Sequence, residues 1–176
     1  EKIKQWYREA GYLEMVLLNE REDLVSYNEE STLAKVKYRI FEGPKIVVAS
    51  ILIEGNTLTR DYVIMKELDF KVGDVLTPSL IEESISRLQR VGHFNTVDIK
   101  TLEEKTQISQ RTVIVRVSDR DPGIFNFGVG ATNQRGLTLR GYTGVAYRNI
   151  DGTGRGASAR LEGNYNVSEI KYLERK

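Results

Sequence analysis

Two stretches in the first third of the chain show the hydrophobic patterns of β-strands. From Leu33 to Phe41 apolar and polar residues largely alternate, which is typical of a half-buried strand. Ile46 to Ile53 is a β-branched apolar run that stops at the turn signal Gly55-Asn56. Gly43-Pro44 separates the two stretches, and Pro44 lacks the N–H that a continuing ladder would use. We therefore interpret Gly43-Pro44 as the joint between two folding units.

After this joint the pattern predicts two helices and a hairpin. Thr59 is a candidate N-cap for a helix over Arg60 to Leu68. Thr77 is a candidate cap for a second helix, because Pro78 suits a first helical position and Gly92 suits the end. The hairpin strands are Asn95–Leu102 and Arg111–Ser118. With Ile46–Ile53 as the first strand, the order is β-α-α-β-β and the fold class is α+β.

The residues before the joint repeat the end of this unit. They predict a helix over residues 1–10 that stops at Gly11, then strands Leu13–Leu18 and Leu33–Phe41 around a polar connection. Ala10-Gly11-Tyr12-Leu13 and Val91-Gly92-His93-Phe94 stand at matching places, each between a helix and a hairpin. We therefore expect tandem modules, with residues 1–43 as the C-terminal part of one and residues 44–121 as a complete copy.

The last third, residues 122–176, changes in pattern. It holds 10 of the 15 glycines, and three successive stretches alternate in period two, with charged residues on one side only. The stretches begin near Phe125, Leu137 and Ala157, and their lengths suit tilted membrane strands of about 9–11 residues. The same alternation also suits a sandwich with one solvated face. Glycine on both faces favours a barrel wall.

Composition narrows the possible functions. The chain of 176 residues is 40% hydrophobic and 29% charged, which is ordinary for a folded protein. A net charge of +1 gives no electrostatic argument for nucleic-acid binding. The absence of cysteine excludes disulfides and thiolate metal sites. There is no initiator Met and no apolar run of 18 residues, and the start resembles mid-helix, so we interpret the chain as an internal fragment.

The ordered motifs resemble polypeptide-transport-associated (POTRA) domains and the barrel start of BamA/TamA-type outer-membrane assembly proteins. Within the β-α-α-β-β unit, the resemblance rests on Ile53-Glu54-Gly55-Asn56, Gly73-Asp74-Val75-Leu76 and Gly92-His93-Phe94. Gly123 to Gly130 resembles the family's first barrel strand, and Arg148 to Gly154 resembles its Asn-Leu-x-Gly-Thr-Gly turn. The chain departs from the family at Ser118-Asp119, where Glu is usual. The family's lid-loop motif is absent, so the fragment by itself cannot be a working insertase.

The resemblance implies function by strand addition. The candidate substrate edge is the first hairpin strand: Asn95, Thr96, Val97, Asp98, Ile99, Lys100, Thr101 and Leu102. The alternative is an edge blunted by Lys100, Glu103 and Glu104 that binds nothing. The candidate lateral-gate strand comprises Ile124, Phe125, Asn126, Phe127, Gly128 and Val129, which could also be a plain wall strand. Arg140 and Arg160 are expected in the barrel interior.

The resemblance also implies the partners and the location. The partners are unfolded outer-membrane proteins, periplasmic assembly lipoproteins or other complex subunits, and outer-membrane lipid. The POTRA part lies in the periplasm of a Gram-negative bacterium. No cofactor, metal or nucleic acid is implied, and we interpret the protein as a non-enzyme.

Three alternatives to an assembly factor stay open. They are a two-partner secretion pore, a POTRA-barrel anchor of an enzyme, and a soluble adaptor whose residues 123–176 form a sandwich. Gly152 to Gly156 could suggest a phosphate loop, but strands flank it where a helix should follow. His93 has no metal-binding neighbours in the sequence. Because three barrel strands would leave two open edges, we expect the tail to pair with another copy.

Overall fold

A three-stranded sheet covered by two helices forms the centre of the molecule. The structure is a computed structural model and describes residues 2–20, 24–30, 32–133 and 137–166. The sheet has the order β5-β7-β6, with β5 parallel and β6 antiparallel to β7. Its elements are β5 (Val47–Glu54), α2 (Asp61–Glu67), α3 (Pro78–Val91), β6 (Phe94–Thr101) and β7 (Gln110–Asp119). The predicted α+β class and β-α-α-β-β order are confirmed.

The helices pack on one face of this sheet and enclose the hydrophobic core. Alternate residues of β7 point inward, so Val113, Val115 and Val117 are buried while their neighbours along the strand are not. The remaining core side chains come from the other strands, the helices and the connecting segments: Ile46, Val48, Ile64, Leu68, Phe70, Leu76, Leu88, Phe94 and Ile99. The opposite sheet face carries the exposed Leu52.

Both ends of α3 follow the prediction, whereas the start of α2 does not. Thr77 Oγ1 accepts a hydrogen bond from Leu80 N at 3.3 Å, and Gly92 ends the helix in the left-handed region at φ 75°. The predicted capping role of Thr59 is wrong. The N-cap of α2 is Arg60, without a side-chain cap bond, and the Thr59 hydroxyl donates to Asp119 Oδ1 instead. A capping hydroxyl accepts from a helix N–H, but Thr59 Oγ1 accepts from Asn149 Nδ2 at 2.7 Å instead.

The segment before the joint is less regular than expected. It contains α1 (Lys2–Glu9) and two short antiparallel pairs: β1 (Val16–Leu17) with β4 (Ile40–Phe41), and β2 (Val25–Tyr27) with β3 (Ala34–Val36). The predicted strands Leu13–Leu18 and Leu33–Phe41 are therefore too long. The buried Asn19 interrupts the second of them, because its side chain donates to Lys37 O and accepts from Arg39 N, both at 2.8 Å.

The last three strands form one antiparallel sheet of order β10-β9-β8. They are β8 (Gly123–Thr132), β9 (Thr138–Ile150) and β10 (Arg155–Asn166). The register places Phe127 opposite Thr143, and Val145 opposite Ala159, so the predicted apolar residues of all three strands share one face. That face is exposed, with Val129 at 91%. In the sequence the alternation of the third stretch continues to Val167, which lies outside the described residues.

Candidate strand-binding site

Strand β6 lies at an edge of the POTRA-like sheet, and half of its backbone groups face outward. Leu102 N donates to Thr112 O at 2.9 Å, which marks that pair as hydrogen-bonded across the hairpin. Hydrogen-bonded pairs alternate along an antiparallel ladder, so Lys100 and Asp98 also bond to β7. The N–H and C=O groups of Val97, Ile99 and Thr101 therefore point to the open edge. A guest strand would pair with these three residues.

The side chains along β6 leave this edge accessible. Lys100 Nζ lies 2.8 Å from Asp98 Oδ2, so the cation is partnered within its own strand. Asn95, at the start of the edge, donates to Asp119 O and accepts from Arg120 Nε. Glu103 Oε2 accepts from Thr112 N and is turned back over the hairpin. Of the three charges that could blunt the edge, Lys100 and Glu103 thus have partners on the hairpin itself.

Strand β8 has a similar open edge. Arg148 N donates to Pro122 O at 2.8 Å, so that pair, and every second pair after it, bonds to β9. By this alternation Ile124, Asn126 and Gly128 bond inward to β9. The N–H and C=O groups of Phe125, Phe127 and Val129 face the open edge, where no further described strand pairs with them.

The polar face of the same sheet carries a stacked cluster. Tyr142 lies opposite Gly128, and its ring occupies the space that a Cβ of residue 128 would need. The Arg160 guanidinium carbon lies 4.3 Å from the centre of the Tyr142 ring, and Arg160 also pairs with Glu162 at 3.2 Å. Arg140 lies on this same face and is exposed. The register thus places Arg140 and Arg160 on the polar face.

The sheet is attached to the POTRA-like domain by a polar cluster that sequence analysis missed. Asp119 Oδ1 accepts from the Thr59 hydroxyl at 2.5 Å, and its Oδ2 accepts from Leu58 N at 2.7 Å. Thr59 Oγ1 in turn accepts from Asn149 Nδ2 at 2.7 Å, and Asn149 Oδ1 accepts from Gly154 N. Thr59 and Asn149 are both buried. This chain of bonds joins β7, the loop before α2 and the turn between β9 and β10.

Backbone contacts reinforce the attachment. Arg60 N donates to Gly152 O at 3.1 Å, and Arg60 Nε donates to Asp151 O at 2.9 Å. Gly152 has φ 70°, and a Cβ there would overlap Leu58 O, so the turn comes close to the loop only because residue 152 is glycine. The sequence signal was the glycine-rich turn motif at residues 148–154, which predicted a turn but not its partner.

A second polar contact joins residues 1–43 to the same domain. The Arg111 side chain is 1% exposed and donates to Glu14 Oε1 at 2.6 Å, to Ile108 O and to Thr106 O. Glu14 Oε1 also accepts from Lys105 N. The Arg111 hydrogen bond holds the pKa of the Glu14 carboxyl below its usual value, with a smaller opposing effect of burial. Ile46 N donates to Gly11 O beside this pair.

No group of three or more His, Cys, Asp or Glu side chains in residues 2–20, 24–30, 32–133 and 137–166 could hold a metal ion. His93 is buried, and its Nδ1 has no hydrogen-bond partner. Across those same ranges, no helix combines the length and the apolar character needed to cross a membrane.

Comparison with known proteins identifies the central unit. A family model described as "POTRA: Surface antigen variable number repeat" matches residues 46–120. Residues 46–120 therefore resemble a POTRA domain. The match lies within the unit of residues 44–121 expected from the sequence.

Curated relatives extend the similarity beyond this POTRA domain. The chain is 26% identical over 156 residues to "Outer membrane protein assembly factor BamA" of Nitratidesulfovibrio vulgaris, covering 89% of this chain and 19% of that protein. It is 27% identical over 133 residues to the protein of the same name from Neisseria meningitidis, covering 76% of this chain and 16% of the relative. The chain thus spans less than a fifth of the length of these relatives.

Solved structures agree with the assignment. BamA from Haemophilus ducreyi lacking POTRA domains 1–3 is similar with a TM-score of 0.69 and 29% identity, over 94% of this chain and 30% of that one. CdiB from Acinetobacter baumannii shares the fold, with a TM-score of 0.55 and 16% identity over 90% of this chain and 28% of that one. The expected resemblance to BamA-type assembly factors, and the α+β fold with a POTRA domain followed by barrel-like strands, are confirmed.

Proposed function

We propose that this chain belongs to a factor that inserts β-barrel proteins into the bacterial outer membrane, with its POTRA domain in the periplasm. The similarity to BamA proteins supports the proposal. The observation that carries it is the pair of open strand edges, β6 and β8, within one chain. Unfolded outer-membrane proteins are rich in alternating strands, and such strands pair with edges of this kind.

In this proposal β6 receives a nascent strand. The backbone of Val97, Ile99 and Thr101 supplies the hydrogen bonds, which do not depend on the guest's sequence. Thr96, Asp98, Lys100 and Leu102 bond inward to β7, and their side chains stand on the sheet face away from the helices. These four side chains, together with the Asn95 side chain at the start of the edge, select among guest strands by contact with every second guest residue. No bond is broken and no cofactor is needed.

Strand β8 then pairs with the guest at the membrane. Phe125, Phe127 and Val129 carry its open backbone groups. The side chains of the same three residues are exposed on the apolar face, which suits contact with outer-membrane lipid. Arg140 and Arg160 would face the aqueous interior on the other side of the wall. Periplasmic lipoproteins or other subunits are the further partners we propose. Where the other barrel strands are missing, the open edges of β8 and β10 would pair with a second copy.

Proline substitution tests the β6 edge directly. Proline removes one N–H, and a strand edge tolerates it where that N–H faces outward. We expect Val97→Pro to fold and to bind a synthetic strand peptide of alternating apolar and polar residues about tenfold more weakly. Val97→Thr keeps the N–H and should bind normally. Amide chemical shifts of β6 during peptide titration are the measurement. Unchanged binding by Val97→Pro, or no shifts at millimolar peptide, would remove β6 as the receiving edge.

Cysteine pairing tests β8. The sequence has no cysteine of its own, so Phe127→Cys provides a single thiol on the open strand. A substrate stalled during insertion, with a cysteine in its terminal strand, should form a disulfide with residue 127. Val145→Cys, on the already paired β9, is the matched control. Equal crosslinking at both positions would contradict a gate at β8.

The same experiments distinguish the alternatives. A two-partner secretion pore would crosslink its soluble partner and no barrel substrate. If the protein is a barrel-anchored enzyme, its own barrel would insert into the membrane normally when the β6 edge is blocked. In a soluble adaptor, the full-length protein would stay monomeric without detergent.

A further inference from the structure

The turn between β9 and β10, residues 149–154, is seated on the POTRA domain by both side-chain and backbone bonds. We call these residues the docking turn. Asn149 has φ 58°, Asp151 φ 51°, Gly152 φ 70° and Gly154 φ 77°. Four left-handed residues in six are costly for a free turn, because only glycine and, less readily, Asn or Asp adopt this conformation. The contacts with the domain hold the turn in this shape.

We infer that Thr59 and Asn149 are positioning residues that fix the angle between the POTRA domain and the β8–β10 sheet. The inference rests on the proposed function only for what the angle is used for, which is to direct a strand from β6 to β8. Thr59 Oγ1 is the central atom, since it donates to Asp119 and accepts from Asn149. Its hydroxyl is therefore used in both directions at once, and neither bond can be replaced by water while the site stays buried.

The position of the docking turn is coupled to β8, the candidate gate strand, through backbone hydrogen bonds. Asn149 follows Arg148, whose N–H bonds to Pro122 O immediately before β8. A displacement of the docking turn therefore moves the end of β9 and, with it, the first residues of β8. Since β6 belongs to the same domain as Thr59, the Thr59–Asn149 bond sets the direction in which a strand held at β6 meets β8.

Two neighbouring threonines provide a matched pair of variants. Thr57 Oγ1 also donates to Asp119, at 3.3 Å, but does not bond to the docking turn in the described structure. Thr59→Val removes the hydroxyl that Asn149 uses, and Thr57→Val removes an equivalent hydroxyl from the same carboxylate. Thr59→Ser restores the hydroxyl. Asn149→Gly removes both side-chain bonds and keeps the left-handed backbone.

Distances between spin labels in the full-length protein measure the angle. One label replaces Gln89 on α3 and the other replaces Asn164 on β10; both positions are exposed. We expect Thr59→Val and Asn149→Gly to raise the population at non-native distances about tenfold. Thr57→Val and Thr59→Ser should keep the unsubstituted distribution. Unchanged distributions in Thr59→Val and Asn149→Gly would overturn the inference, as would an equal change in Thr57→Val.

A parallel peptide titration separates this inference from the proposed function. Asn149→Gly should bind a strand peptide at β6 with unaltered affinity, since the outward backbone groups of Val97, Ile99 and Thr101 make no described bond to the turn. It should crosslink substrate at Phe127→Cys less efficiently. If no variant binds peptide while the distances still shift as expected, the proposed function fails and the positioning role stands. Loss of peptide binding together with a lower unfolding midpoint in Asn149→Gly would assign Asn149 to domain stability and contradict the inference.

Discussion

Breaking the Glu14–Arg111 pair should loosen the joint between residues 1–43 and the POTRA domain. Arg111 is 1% exposed, whereas Glu14 is 23% exposed. Removing one partner of a fully buried pair costs about 3–5 kcal/mol, because the other charge is left buried. Glu14 retains contact with water and Arg111 keeps two carbonyl acceptors, so for Glu14→Gln we expect a smaller cost of about 2–3 kcal/mol in the free energy of joint opening.

Hydrogen exchange at Ile46 reports on this opening. Its amide bonds to Gly11 O across the joint, and its side chain is fully buried. A loss of about 2–3 kcal/mol corresponds to exchange roughly 30- to 150-fold faster. Mass spectrometry of peptides covering residues 44–50 provides the measurement. Glu82→Gln, an identical change at an exposed position of α3, should have no effect at Ile46.

A double variant tests the physical reason. If the cost comes from an unpaired buried guanidinium, Glu14→Gln combined with Arg111→Met should exchange more slowly than Glu14→Gln alone, since no charge is then left without a partner. The reasoning is refuted if Glu14→Gln leaves Ile46 exchange within about threefold of the unsubstituted protein, a change smaller than about 1 kcal/mol.

Three further predictions follow from the same structure. Because the folded-state pKa of Glu14 is lowered, its contribution to joint protection is complete above the ordinary value of 4.5 and is lost as pH falls through the folded pKa; Ile46 protection factors in Glu14→Gln should lack this fall. Leu88→Ala, at a fully buried position, should cost about 2–5 kcal/mol in urea unfolding. Gly55 and Gly73 both have positive φ, but only at Gly55 would a Cβ overlap a backbone oxygen, that of Val117. Gly73→Ala should therefore cost about 1–2 kcal/mol and Gly55→Ala clearly more, by the same urea assay.

Local sequence signals predicted the POTRA domain well because its elements are independently encoded. The cap at Thr77, proline at the first position of α3 and glycine at its end each act within one turn of the chain. The alternation of β8, β9 and β10 likewise predicted which residues share a face. Successive side chains of a strand point to opposite faces of its sheet, so this prediction did not require knowledge of the neighbouring strand.

The errors came from residues whose partners are distant in sequence. Thr59 is a residue type that caps helices, but its oxygen accepts from Asn149, 90 residues later, and its hydroxyl donates to Asp119. Asn19 resembles a turn residue, but its side chain replaces ladder bonds at Lys37 and Arg39 and interrupts the strand predicted over Leu33–Phe41. Local propensity contains no information about such acceptors.

The sequence by itself determined the α+β class, the order of the elements and which residues of β8, β9 and β10 share a face. Only the tertiary structure decided how the modules are joined. The Glu14–Arg111 pair and the Asp119–Thr59–Asn149 cluster each connect residues about 60 to 97 positions apart. A hydrogen bond depends on angles and on distances of about 3 Å, and such geometry exists only after the chain has folded.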